Sequence, residues 1–121
     1  MNSTGSRLTL NGITGMEYIF DLYTFNDFSE LRSAFLPRAA VYVFTRRRAT
    51  KEGFTHDLVY LGETENLARR FDNHHKESAI MAHYANCIGI YGATSNEDLR
   101  KKIEADMLAA YDFPCNEQIN K

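Results

Sequence analysis

The sequence predicts a small α+β domain in which helices cover a compact, mainly antiparallel sheet. Three observations predict it. Short stretches rich in Val, Tyr and Phe alternate with helical patterns, the order is strand, helix, two strands, helices, strand, helix, and 121 residues with 44% hydrophobic content suffice for one core but not two.

Taken in order, Met1 to Gly15 mixes Ser, Thr, Asn and Gly without periodicity and reads as a loose arm or short edge segment. From Glu17 to Phe25 the alternation of Tyr18, Phe20 and Leu22 favours a strand, and Ser29 is placed to cap a short helix carrying Leu31, Ala34 and Phe35, ended by Pro37. Ala39 to Thr45 and Leu58 to Leu61 read as two buried strands paired antiparallel. The charged connection from Arg46 to Asp57 reads as a wide exposed loop. Thr64 then caps a helix with Leu67 and Phe71, followed by a shorter one with Ala79, Ile80 and Met81. Asn86 to Tyr91 is a further strand. Ser95, with Asp98 three residues on, opens a helix with Leu99, Ile103, Met107, Leu108 and Tyr111 at helical spacing, and Pro114 marks its end.

The composition excludes several classes. No apolar run approaches the roughly 18 residues of a membrane helix and no charged-then-apolar leader opens the chain, so a soluble, cytoplasmic protein is expected. Cys87 and Cys115 lack ligand-like spacing and read as reduced packing residues. There is no phosphate-cradling glycine loop, no G-x-G-x-x-G and no nucleophile elbow, which removes nucleotide hydrolysis and serine chemistry. A formal charge of −2 means that any nucleic-acid face must be local.

Four features carry candidate chemistry. Glu104 falls inside the apolar arc of the last helix, where a carboxylate requires a cation, a donor or a wet cleft; Arg100 one turn earlier is the bland partner and a hard divalent metal the sharp one. Arg70 and His74, four residues apart, share a helix face, and a guanidinium suits phosphate; the ordinary meaning of Arg69, Arg70 and Lys76 is a solvated basic face. His74 and His75 diverge on a helix and complete no zinc spacing. Tyr42 and Tyr60 sit in the paired strands, where most tyrosines pack, and act as bases only beside a cation. Arg46, Arg47 and Arg48, flanked by Phe44 and Phe54, mix charge and aromatics as nucleic-acid grips do, or form an ordinary charged tip.

The ordered strings Ala40-Val41-Tyr42 and Tyr60-Leu61-Gly62-Glu63-Thr64-Glu65-Asn66-Leu67-Ala68-Arg69-Arg70, with His74, then Glu104, Leu108 and Phe113-Pro114-Cys115-Asn116, closely resemble the signature of GIY-YIG nucleases. The resemblance covers Ala39 to Asn116 and implies a three-stranded antiparallel sheet flanked by helices, with residues 1–38 as an extension packed on the domain formed by 39–121. It implies a phosphodiester hydrolase acting on DNA with one Mg²⁺ or Mn²⁺ held by Glu104. Arg70 would bind the scissile phosphate, Tyr42 or Tyr60 would take the proton of the attacking water, and His74 would assist. Arg46, Thr64, Asn66 and Asn116 would help to bind substrate or order the site. Ala40 replaces the first motif's glycine, and Glu63 stands where many relatives carry Lys, Gln or Ser. A binding or regulatory module with weak or no cleavage is the main alternative, and a cutting subunit targeted by a partner protein is the third.

Overall fold

A computed structural model describes residues 1–92 and 95–117. Its strands are β1 (Asn2–Asn11), β2 (Glu17–Thr24), β3 (Ala40–Thr50), β4 (Gly53–Thr64) and β5 (Cys87–Gly92), and its helices are α1 (Leu67–Arg70), α2 (Glu77–Ala82) and α3 (Glu97–Leu108). All pairings are antiparallel, in the order β1-β2-β5-β3-β4. The last strand in sequence therefore joins two hairpins. It pairs with β2 from Cys87 to Ile90 and with β3 from Cys87 to Gly92.

Side-chain alternation along β3 divides the interior into two layers. Tyr42 and Phe44 point into one, with Phe25, Phe28, Leu31, Leu67, Phe71 and Ile80. Val41 and Val43 point into the other, with Tyr18, Phe20, Leu61, Met107 and Phe113. The short helices thus cover one face of the sheet and α3 the other.

Five strands stand where the resemblance implies three, because residues 2–24 contribute a hairpin of their own. The segment read as a loose arm or short edge segment is the ten-residue edge strand β1, and the strand expected from Glu17 is β2, which lies between β1 and β5. No helix follows Ser29; the segment is a 3-10 turn, Phe28–Glu30, capped by Asp27. Residues 46–57 form no wide loop. The hairpin continues to the pair Thr50 and Gly53, with Lys51 and Glu52 as the turn and Gly53 at φ +138°, a conformation that disfavours any residue with a Cβ. Two caps are displaced, by two residues and by one: Asn66, not Thr64, caps α1, and Asn96, not Ser95, caps α3. The first helix after β4 has four residues and the second six, the reverse of the expected lengths. Among the described residues no helix is long and apolar enough to cross a membrane.

The N-terminal hairpin fixes α3. Asp106 on that helix accepts hydrogen bonds from Tyr18 Oη at 2.6 Å, Thr14 Oγ1 at 2.8 Å and the Thr14 amide at 3.0 Å, while its carbonyl accepts the Ile13 amide at 3.0 Å. At the other edge, Asn116 grips β4. Its amide oxygen accepts Leu61 N–H and its amide nitrogen donates to Leu61 C=O, both at 2.8 Å.

Candidate active site

Tyr42 lies on β3 opposite Gly62 on β4, and Tyr60 two residues earlier on β4 points into the same layer. Gly62 is what lets the two rings meet. A Cβ there would stand 2.4 Å from Tyr42 Oη and 2.9 Å from Tyr60 Cε2, closer than atoms approach, so the absence of a side chain opens the path of the Tyr42 hydroxyl. The rings lie 6.2 Å apart.

Two donors converge on Tyr42 Oη. Arg70 Nε donates to it at 3.0 Å, and His74 Nε2 lies 2.8 Å away. The His74 Nδ1 accepts the Lys76 amide at 3.0 Å, which places the imidazole hydrogen on Nε2 and makes His74 a second donor. Burial first, and then the Arg70 charge, pull the His74 pKa down to about 3, so the ring stays neutral at working pH. Burial pushes the Tyr42 pKa strongly upward, and Arg70 opposes that shift. Burial also raises Tyr60, against the Arg70 charge and hydrogen bonds from Tyr42 and Arg70. Tyr60 is 7% exposed and Tyr42 wholly buried, so Tyr60 is the phenol nearer to solvent.

Glu104 reaches this cluster from α3, and its charge is felt by both tyrosines. Burial, and after it repulsion from Glu63, raise its pKa to about 7, with Lys101 and Arg70 opposing. Arg100 does not pair with Glu104 as the helix spacing suggested. It is buried, and its Nε lies 3.5 Å from Glu63 Oε2. That ion pair holds the Glu63 carboxylate, which answers the question that residue raised in the sequence. Next to the cluster, Arg70 and Arg69 line a polar recess of about 610 Å³ whose wall also carries Glu65, Asp72, Thr64 and Asn66.

The structure thus brings Tyr42, Tyr60, Arg70, His74 and Glu104 together. His74 follows α1 rather than lying on it, and its ring stacks on that of His75 with centroids 5.1 Å apart, so the two histidines do not diverge. Arg46 is four residues from Tyr42 along β3, roughly 13 Å away. Thr64 Oγ1 accepts the Asn66 amide, Asn66 Oδ1 accepts the Ala68 amide, and the Asn116 side chain is committed to Leu61, so these three shape the backbone around the site. Phe44 is fully buried in the core and flanks no basic surface. Sequence reasoning missed the Glu63–Arg100 pair and the Lys76 amide that sets the His74 tautomer. Only Arg100 had a signal, because it shares the apolar arc of α3 with Glu104; its partner on β4 had none.

The donor set suits a hard divalent cation. Glu104, raised to about 7 by burial and then by the Glu63 charge, and Glu63, paired on one side with Arg100, are oxygen ligands whose repulsion a cation would relieve, and Mg²⁺ commonly takes only one or two carboxylates from a protein. Among the described residues no group of three or more His, Cys, Asp and Glu forms a dedicated cage, so water and substrate oxygens would complete the shell. Compared with known protein families, curated proteins and solved structures, the chain matches none of them.

Proposed function

We propose that this chain is a metal-dependent endonuclease of the GIY-YIG type that hydrolyses phosphodiester bonds in DNA. One observation carries the reading: the Tyr42 hydroxyl receives both Arg70 and His74 beside Tyr60 and a carboxyl whose pKa stands at about 7. A buried core has no use for so costly a combination of a cation, two phenols and a carboxyl, whereas phosphoryl transfer uses all of them.

In this reading Arg70 spends Nε on Tyr42, and its terminal nitrogens, of which Nη2 now lies 3.4 Å from His75 Nδ1, turn to a phosphate oxygen, where the guanidinium stabilises the charge that grows during displacement. Tyr60, on the solvent side, first gives its own proton to solvent; the phenolate, which the Arg70 charge favours, then takes the proton of the attacking water and returns to the neutral phenol as the hydroxide adds to phosphorus. His74, neutral and fixed by Lys76, holds Tyr42 in place. Glu104, with Glu63 beside it, would hold a Mg²⁺ or Mn²⁺ ion, which supplies Lewis-acid stabilisation of phosphate oxygens.

The test is to incubate the protein with supercoiled, branched and single-stranded DNA in Mg²⁺ and in Mn²⁺, beside Glu104→Ala and Arg70→Ala. Cleavage by the wild type alone supports the assignment. Cleavage that survives in Glu104→Ala defeats the metal-ligand role, and binding without cutting by the wild type moves the reading to a regulatory module.

A further inference from the structure

Beyond Thr45 the β3–β4 hairpin leaves the sheet. Pairing between β3 and β5 ends at Thr45 and Cys87, while β3 continues against β4 through five more pairs, from Arg46 with Asp57 to Thr50 with Gly53. These residues form a two-stranded ribbon roughly 17 Å long. It carries Arg46, Arg47, Arg48 and Lys51 against only Glu52 and Asp57, in a chain whose formal charge is −2. Arg48 is neutralised by Asp57, with contacts of 2.8 and 2.9 Å.

The other two arginines are stacked on exposed aromatic rings. The Arg47 guanidinium carbon lies 3.5 Å from the centroid of Phe54, and that of Arg46 lies 5.4 Å from the centroid of Tyr84. Phe54 is 58% exposed and Tyr84 71%. Arg46 and Arg47 are successive strand residues, so the two stacks occupy opposite faces of the ribbon. Arg46 shares its face with Tyr42.

Tyr84 occupies a position that stability alone would not give to a tyrosine. It follows the end of α2 at φ +61°, with its amide bonded to Met81 C=O and the Ala85 amide to Ile80 C=O. This is a left-handed helix stop, normally glycine. A bulky ring there is displayed to solvent at a conformational cost, which points to a use for the ring.

We infer that the ribbon binds unpaired nucleotides beside the cleavage site, with bases stacking on the Arg46–Tyr84 and Arg47–Phe54 platforms on its two faces. Aromatic and guanidinium planes stack on any base whose own face is free, and the bases of an intact duplex are not free. A ribbon that read the duplex major groove would offer hydrogen-bonding side chains to base edges instead of rings. The substrate class is therefore DNA with a single-stranded arm, such as a fork or flap. The inference rests on the DNA reading of the active site but is tested apart from it.

Binding is measured by fluorescence anisotropy in EDTA, where metal-dependent cutting cannot occur, on a fork, a single strand and a blunt duplex of equal length. The proteins are the wild type, Phe54→Ala with Tyr84→Gly, and Arg48→Ala as a control for charge on the ribbon. The wild type should prefer the fork and the single strand to the duplex. The double variant should lose about 30-fold or more in affinity for both and leave duplex binding unchanged. Arg48→Ala should weaken all three DNAs alike. Tyr84→Gly by itself should melt at or above the wild-type temperature, since glycine relieves the left-handed backbone, so lost binding is not lost folding. Equal losses on fork and duplex, no loss on either, or no wild-type preference for unpaired DNA each overturns the inference. A protein that never cuts but shows the fork-selective loss retains the ribbon and loses the nuclease.

Discussion

At the scale of single residues, the cluster sets functional groups against stability. Glu104 has a folded pKa of about 7 against an ordinary value of 4.5, so the folded state binds its proton more tightly. Its contribution therefore falls as pH rises from about 4.5 to 7 and stays unfavourable above. With the shift discounted for partial exposure, Glu104→Gln should raise the stability of the metal-free protein by about 1–3 kcal/mol at pH 8 and scarcely at pH 4.5. His74 has the opposite sign. Its folded pKa of about 3 lies below the ordinary 6.5, so it loses stability as pH falls through that window. Wild-type slopes between pH 4.5 and 6.5 oppose each other, and Glu104→Gln, keeping only that of His74, should show a steeper acid loss in urea titrations across pH. A pH-independent effect of the substitution would show that Glu104 is not the raised group. Arg100→Met should cost about 3–5 kcal/mol by chemical denaturation, because it leaves Glu63 unpaired beside Glu104; a neutral outcome would remove the ion pair from the account. Tyr42, Tyr60, Arg70 and Glu104 were legible because motif spacing survives without knowledge of the fold. The partner of Arg100 was not, since Glu63 lies on another element and helix periodicity reports only neighbours on the same helix.

At the scale of elements, β3 and β4 were legible only where they are buried. Ala39 to Thr45 carries apolar side chains, but Arg46 to Asp57 is polar on both faces of a solvated ribbon, and a strand without apolar alternation has the pattern of a loop. The short helices misled for a related reason: Thr64 and Asn66 are both capping types, but Thr64 still belongs to β4 and only Asn66 directly precedes Leu67. The site depends on the close approach of these two strands at Gly62. Gly62→Ala would put a methyl group against two rings that are packed from behind and cannot retreat. It should destabilise the protein by about 1–3 kcal/mol through overpacking. It should also cut the cleavage rate by about 100-fold, since a displacement of about an ångström suffices for that loss. A variant that unfolds earlier in thermal melts yet cleaves at the wild-type rate would separate the rings from the chemistry.

At the scale of the whole molecule, the question is why a site built from β3, β4, α1 and α3 needs residues 1–24. The sequence offered no answer, because an alternation such as Tyr18, Phe20 and Leu22 marks a strand without naming the element it meets. The structure answers through Asp106. This carboxylate sits two residues from Glu104 on α3 and ties the helix to the turn between β1 and β2. The Tyr18 hydroxyl and Asp106 hold each other's ionisation states, and Thr14 adds two hydrogen bonds to the carboxylate. Tyr18 is raised to about 12, mainly by burial and then by Asp106, while the Tyr18 hydrogen bond is the main cause of the lowered Asp106. Since the pKa of Asp106 is lowered in the folded state, its tie is present above the ordinary carboxylate value and is lost as pH falls through the lowered one. Removing the tie should loosen α3 as a unit and spread the positions that Glu104 visits. Tyr18→Phe keeps the ring packed against Tyr91 at 5.6 Å and deletes only the hydroxyl. The variant should lose about 1–2 kcal/mol, show faster amide exchange along α3 than in β3, and bind Mn²⁺ more weakly than the wild type by calorimetry. Unchanged exchange in α3 with unchanged Mn²⁺ affinity would make the N-terminal hairpin a bystander to the site it braces.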